Sequence, residues 1–220
     1  MKFKNTCKIC GKVFEFEVIP KNRFEYPYSA PSFCSDKCKM IYKDKEYRKR
    51  LIIIPIKFRD IECDKPNIVK QGIEQSMFIT GAVGVGKTVL MAGIAKEILK
   101  AKERKVEWVS YPDFIMELQS SFRKDDEVSP YEMAEGIASF WGTLCIDDLG
   151  AEKMTAFVQQ ITYYIIDYRE QGMLHTLITS NFSLQQIDEQ DRRVSSRIGG
   201  MCKIIKLTGK DRRLEKKKNQ

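Results

Sequence analysis

The sequence predicts an α/β protein in which a mainly parallel sheet flanked by helices spans residues 68–220, preceded by a linker at 46–67 and a small cysteine-rich module at 1–45. Three observations predict it. Strand-like and helix-like segments alternate through the long carboxy-terminal region, the pattern of parallel strands joined by crossover helices. A glycine-rich loop follows the first of those strands and opens the first of those helices. Four of the seven cysteines fall in the first 45 residues, as two close pairs.

The amino-terminal module comes first. Cys7-Lys8-Ile9-Cys10-Gly11 and Cys34-Ser35-Asp36-Lys37-Cys38 have a spacing that lets four thiolates close a tetrahedral shell around Zn²⁺. Gly11 can take the positive φ that turns amides toward sulfur, Cys38 is expected to begin a helix, and the stretch between the pairs is long enough for a β-hairpin. A disulfide framework is the alternative. Against it stand the reducing cytosol and the odd total left by Cys63, Cys145 and Cys202. So short a module buries little core, and the metal is expected to supply much of its folding free energy.

Residues 46–67 are charged and then apolar, broken by Pro55 and Pro66. Beyond them strands are expected at 76–80, 106–110, 143–146, 174–179 and 202–207, with helices such as 89–101 and 157–170 between them. With 43% hydrophobic and 31% charged residues, the chain can bury a core, which excludes the disordered class. The longest apolar run, 51–56, contains Pro55 and is far too short to span a bilayer, and residues 1–11 hold no apolar signal segment. A cytoplasmic protein with no membrane association is expected. The net charge of +8 lies at the ends: residues 1–50 carry 13 Lys/Arg against 6 Asp/Glu, residues 201–220 carry 8 against 2, and the centre is acidic. Basic ends suit a nucleic acid. A solvated, solubilising surface is the other reading.

The glycine-rich loop is a complete P-loop. Its candidate nucleotide-binding residues are Gly81, Ala82, Val83, Gly84, Val85, Gly86, Lys87, Thr88 and Val89. The glycines let backbone N–H groups wrap phosphates, Lys87 reaches the β- and γ-phosphates, and Thr88 offers its hydroxyl to Mg²⁺. Downstream, Leu144-Cys145-Ile146-Asp147-Asp148 ends an apolar strand in two acids, a Walker B pattern. Asp147 is expected to hold Mg²⁺ and Asp148 to polarise the attacking water. A third strand ends in Ser180-Asn181, whose amide is expected beside Asp147, holding the lytic water or touching the γ-phosphate. His175, the sole histidine, reads as a packing residue.

The loop at 81–88, the run Cys145-Ile146-Asp147-Asp148-Leu149-Gly150-Ala151-Glu152, then Ile178-Thr179-Ser180-Asn181, Ser196-Arg197-Ile198 and Gly209-Lys210-Asp211-Arg212-Arg213 resemble, in order and spacing, the AAA+ ATPases of the DnaC/DnaI helicase-loader and IstB group. The resemblance covers residues 50–220, and the amino-terminal module resembles a treble-clef or zinc-ribbon unit. It implies an ATP-binding AAA+ hydrolase with ATP/ADP and Mg²⁺ as cofactors, acting in DNA replication. A replicative helicase and single-stranded DNA are the implied partners, with nucleotide-dependent homo-oligomers, and a phage genome is one setting for such a loader. It also implies that Arg197 is the arginine finger, offered to a neighbour's γ-phosphate, with Arg193 as its rival; Arg213 matches a carboxy-terminal arginine to which no catalysis is assigned. Because Asp148 stands where fast enzymes carry the longer glutamate, slow basal hydrolysis is expected. Residues 122–141 resemble the helical insertion of initiator-type relatives, in which Phe122, Arg123 and Lys124 would meet DNA. The acids at 125–127 leave a solvated turn as an equal reading. Two functions stand beside the loader: an IstB-like transposition partner, and a nucleotide-switched protein that inhibits a host helicase loader.

Overall fold

The computed structural model describes residues 2–17, 32–101, 104–121, 129–152 and 154–212. It divides into two compact units, Met1–Ile52 and Ile53–Gln220.

In the first unit, β1 (Lys2–Thr6) and β2 (Val13–Glu17) pair antiparallel, with Thr6 opposite Val13. This hairpin carries the first cysteine pair in its turn, and most of the stretch between the two pairs, residues 18–31, lies outside the described residues. The second pair leads into α1 (Asp36–Arg50), where the Ser35 hydroxyl caps the helix by accepting from the Cys38 N–H at 3.3 Å. Asp36 in the first turn and Arg48, Lys49 and Arg50 in the last complement the helix dipole.

In the second unit five strands form one sheet: β3 (Met77–Gly81), β4 (Val106–Ser110), β5 (Thr143–Asp147), β6 (Thr176–Ser180) and β7 (Lys203–Leu207). Their order is β4-β5-β6-β3-β7 and every pairing is parallel. Each lies within two residues of its expected position. β5 and β6 are buried along their whole length because helices cover both faces, whereas β7, at the edge, buries only Leu207. The helices are α2 (Ile56–Arg59), α3 (Pro66–Glu74), α4 (Lys87–Ala101), α5 (Tyr111–Ser121), α6 (Pro130–Ala138), α7 (Ala156–Gln171), α8 (Leu184–Gln190) and α9 (Arg192–Met201). Their starts follow local chemistry. Ser129 with Glu132 and Ser183 with Gln186 form capping boxes, and Thr155 and Asp191 cap α7 and α9. Residues 53–67, from the stretch expected as a linker, belong to this unit, where Ile54 and Phe58 are buried. Among the described residues no helix is long and apolar enough to cross a membrane.

One buried charge holds the sheet's amino-terminal edge. Arg169 of α7 is 0% exposed and spends all five donors: Nε on Thr176 Oγ1 (2.8 Å), Nη1 on the carbonyls of Ala138 (3.0 Å) and Phe140 (3.1 Å), and Nη2 on those of Gly142 (3.2 Å) and His175 (2.8 Å). It thus ties the α6–β5 connection to the start of β6. Burial lowers its pKa to about 10, which leaves it charged at neutral pH. Arg169→Met would keep the volume but take a hydrogen bond from each of four carbonyls, of which those of Phe140 and His175 keep a backbone N–H partner, and is expected to cost about 3 kcal/mol and lower the melting temperature by roughly 10 °C in calorimetry. A shift below about 2 °C would count against this assignment.

Candidate functional site

Strands β3, β5 and β6 end together because their registers align Ile146 with Ile178 and Thr80 with Ser180. The residues just beyond those ends are the sequence-predicted ones. The loop after β3 turns through Gly84 (φ +78°) and Gly86 (φ +102°), conformations that a side chain opposes. Lys87, the first residue of α4, is 5% exposed. Its Nζ donates to the Gly81 carbonyl (2.9 Å), the Ala82 carbonyl (3.0 Å) and Asn181 Oδ1 (2.6 Å), so the P-loop and the end of β6 meet at one ammonium.

A second cluster lies beside it. The Thr88 hydroxyl donates to Asp147 Oδ1 at 3.0 Å, and the Thr179 hydroxyl donates to the same oxygen at 2.6 Å. Thr179 in turn accepts from the Asp148 N–H at 2.9 Å, holding Asp148 at φ +60°. Burial raises the Asp147 pKa, opposed in part by the hydroxyls of Thr179 and Thr88. A hydroxyl and a carboxylate at this distance are hard oxygen donors that fit Mg²⁺, and a cation there would favour the ionised carboxylate that burial disfavours.

Beside these groups lies a cavity of about 710 Å³. Lys87, Thr88, Asp148 and Asn181 form one wall, while Lys57, Phe58 and Ile61 form another, and Arg212 also reaches it. Phe58 stacks on Trp108 (centroids 6.5 Å) and carries the Lys57 ammonium 4.7 Å above its ring. The volume suits a nucleotide.

Sequence reasoning missed Thr179, Lys57, Phe58 and Arg212. Thr179 carries a signal in hindsight, since it lies two residues before Asn181 on an alternating strand; the others come from segments with no phosphate-site motif. Arg193 and Arg197 do not line this cavity. Both lie over the Tyr163 ring (4.7 and 4.9 Å), with Arg193 paired to Asp191 (2.7 Å) and Arg197 to Asp167. His175 sits at the opposite edge of the sheet, its Nδ1 3.0 Å from Thr143 Oγ1. Phe122, Arg123, Lys124 and Arg213 lie outside the described residues.

In the first unit the sulfurs of Cys7, Cys10, Cys34 and Cys38 all lie within 4.8 Å of one another, and all seven cysteines are free thiols. Cys10 and Cys34 are 3.5 Å apart and Cys34 and Cys38 3.7 Å. Tetrahedral Zn–S bonds of about 2.3 Å put neighbouring sulfurs about 3.8 Å apart, so the donor set fits zinc. The Cys10 N–H lowers the Cys7 thiol to about 6, while contact with the Cys10 sulfur pushes Cys34 up to about 12. Four sulfurs this close require a cation before all can ionise.

Residues 68–204 match the family model of the bacterial DnaA ATPase domain. The replicative helicase loader DnaI of Bacillus subtilis (strain 168) is 28% identical over 156 residues, which are 64% of this chain and 49% of DnaI. The chain thus spans about half the length of that curated relative. A crystal structure of DnaI superposes with a TM-score of 0.58 at 25% identity, covering 73% of this chain and 94% of that one. The DnaC helicase loader gives 0.54 at 21% identity (64% and 87% covered). A DnaA bound to AMPPCP and single-stranded DNA gives 0.58 at 20% (71% and 51%). The last two likenesses are likenesses of fold.

Proposed function

From the premise that this chain belongs to the bacterial DnaA ATPase domain family of AAA+ proteins, we propose that it is an ATP-dependent loader that places a replicative helicase on single-stranded DNA. The observation that carries the nucleotide chemistry is the meeting of Lys87 with Asn181 and of Thr88 with Asp147 at one cavity. Lys87 draws charge from the β- and γ-phosphates, and Thr88 and Asp147 hold Mg²⁺, which supplies further charge neutralisation. Asp148 orients the attacking water, and Asn181 fixes Lys87 while facing the terminal phosphate. Asp148 is short and held by its backbone, which supports slow basal turnover.

Arg197, with Arg193 one turn away, serves a neighbouring copy, so hydrolysis depends on nucleotide-bound assembly. Cys7, Cys10, Cys34 and Cys38 hold a structural Zn²⁺. The similarity to DnaI favours a helicase as partner over a transposase. Capture by the tagged protein of a replicative helicase, a transposase and a host loader, each with ATP and with ADP, tests the reading. Helicase capture that changes with the nucleotide is expected. Capture of the transposase or of the host loader alone would replace loading with target selection or inhibition.

A further inference from the structure

Residues 209–212 cross the phosphate loop. Asp211 lies so close to Gly84 that a methyl group there would meet its Oδ1 at 2.0 Å, and the Arg212 side chain passes 3.6 Å from the corresponding point on Gly86. The Arg212 N–H donates to the Gly84 carbonyl at 3.0 Å, which fixes this segment to the loop. From there the guanidinium reaches two places: it lines the cavity that Lys87 and Asn181 enter, and its Nη2 donates to Asp64 Oδ2 at 2.9 Å. Asp64 lies 148 residues earlier, beyond α2, which forms the other wall.

We propose that Asp64 and the terminal phosphate of a bound nucleoside triphosphate compete for Arg212, so that the Asp64–Arg212 pair is a latch across the cavity mouth, released by triphosphate and left closed by diphosphate. This rests on the nucleotide reading of the site. A planar guanidinium offers the same fork to a carboxylate and to a phosphate, so exchange needs only a side-chain swing. Both side chains are partly exposed, at 44% and 58%, and such a pair is weak enough to be exchanged for a multiply charged anion. Arg212 also holds the Asp64 carboxyl below the usual carboxylate range, so the latch is charged at neutral pH. Opening it would free the entry segment at Asp64 from the segment on the phosphate loop, giving the chain two states that differ by one phosphate.

Titration of fluorescent ATP and ADP analogues against the full chain and its variants tests this. Asp64→Asn removes the competitor and is expected to tighten ATP binding about threefold with ADP unchanged. Arg212→Gln is expected to weaken ATP about tenfold with little change for ADP, and to abolish the effect of Asp64→Asn in the double variant. Equal shifts for ATP and ADP, no shift with Asp64→Asn, or an undiminished effect in the double variant would each overturn the latch. Failure of the parent protein to bind either nucleotide would instead overturn the site reading beneath it, and the latch with it.

Discussion

Lys87→Ala is expected to reduce ATP turnover by about a hundredfold or more, and to abolish binding of the triphosphate at micromolar concentration. The ammonium is almost wholly enclosed, and its three acceptors, two loop carbonyls and Asn181, aim it at the space that the loop amides surround. A preset cation in a water-poor site stabilises developing phosphate charge without reorganising, which is why a single deletion has so large an effect. The same three bonds knit the loop to β6, so the variant's melting curve must be recorded beside its kinetics. A parent-like melt with lost turnover assigns the defect to phosphate chemistry. Turnover within about threefold of the parent would remove Lys87 from the mechanism.

Metal removal is expected to have the largest structural effect. Structural zinc in small domains contributes roughly 10–16 kcal/mol of apparent binding free energy, well beyond what a core of this size supplies. Chelation, or Cys34→Ser, is therefore expected to unfold the first unit, with nucleotide binding by the second retained. Metal analysis of protein purified without added zinc should find about one zinc per chain. A metal-free protein whose first unit keeps its amide protection after chelation would overturn the zinc assignment.

Much of this architecture was legible because short-range chemistry and long-range packing agree. The apolar runs bounded by turn residues mark the strands to within two residues, and β5 reads as a continuous hydrophobic run ending in acid because both its faces are covered. Lys87, Thr88, Asp147 and Asn181 were nameable since each sits at the carboxyl end of a strand or in the motif that follows it, and a parallel sheet brings such ends to one edge. The strand order was not legible, for no local pattern records which parallel neighbours pair. Arg169 was hidden for a different reason: on α7 it occupies a core position where a solvated charge is the ordinary expectation, and only the five oxygens around it explain its burial. Lys57 and Arg212 reach the cavity from segments far apart in sequence, so their nearness to the phosphate loop is a product of topology alone.

The sheet order also sets a timetable for the chain's birth. β3, which carries the phosphate loop, has no strand partner among the described residues of the ninety that follow it: its partners are β6, paired from Leu177 on, and β7, paired from Lys203 on. At roughly 5–20 residues per second, a ribosome takes several seconds or more to deliver the first of them. Throughout that interval an apolar strand waits unpaired, exposed to chaperones and to aggregation, and Lys87 lacks the Asn181 amide that it meets in the finished fold. Nucleotide cannot guide the early collapse of this domain; it can only reward a chain in which β6 has already been made.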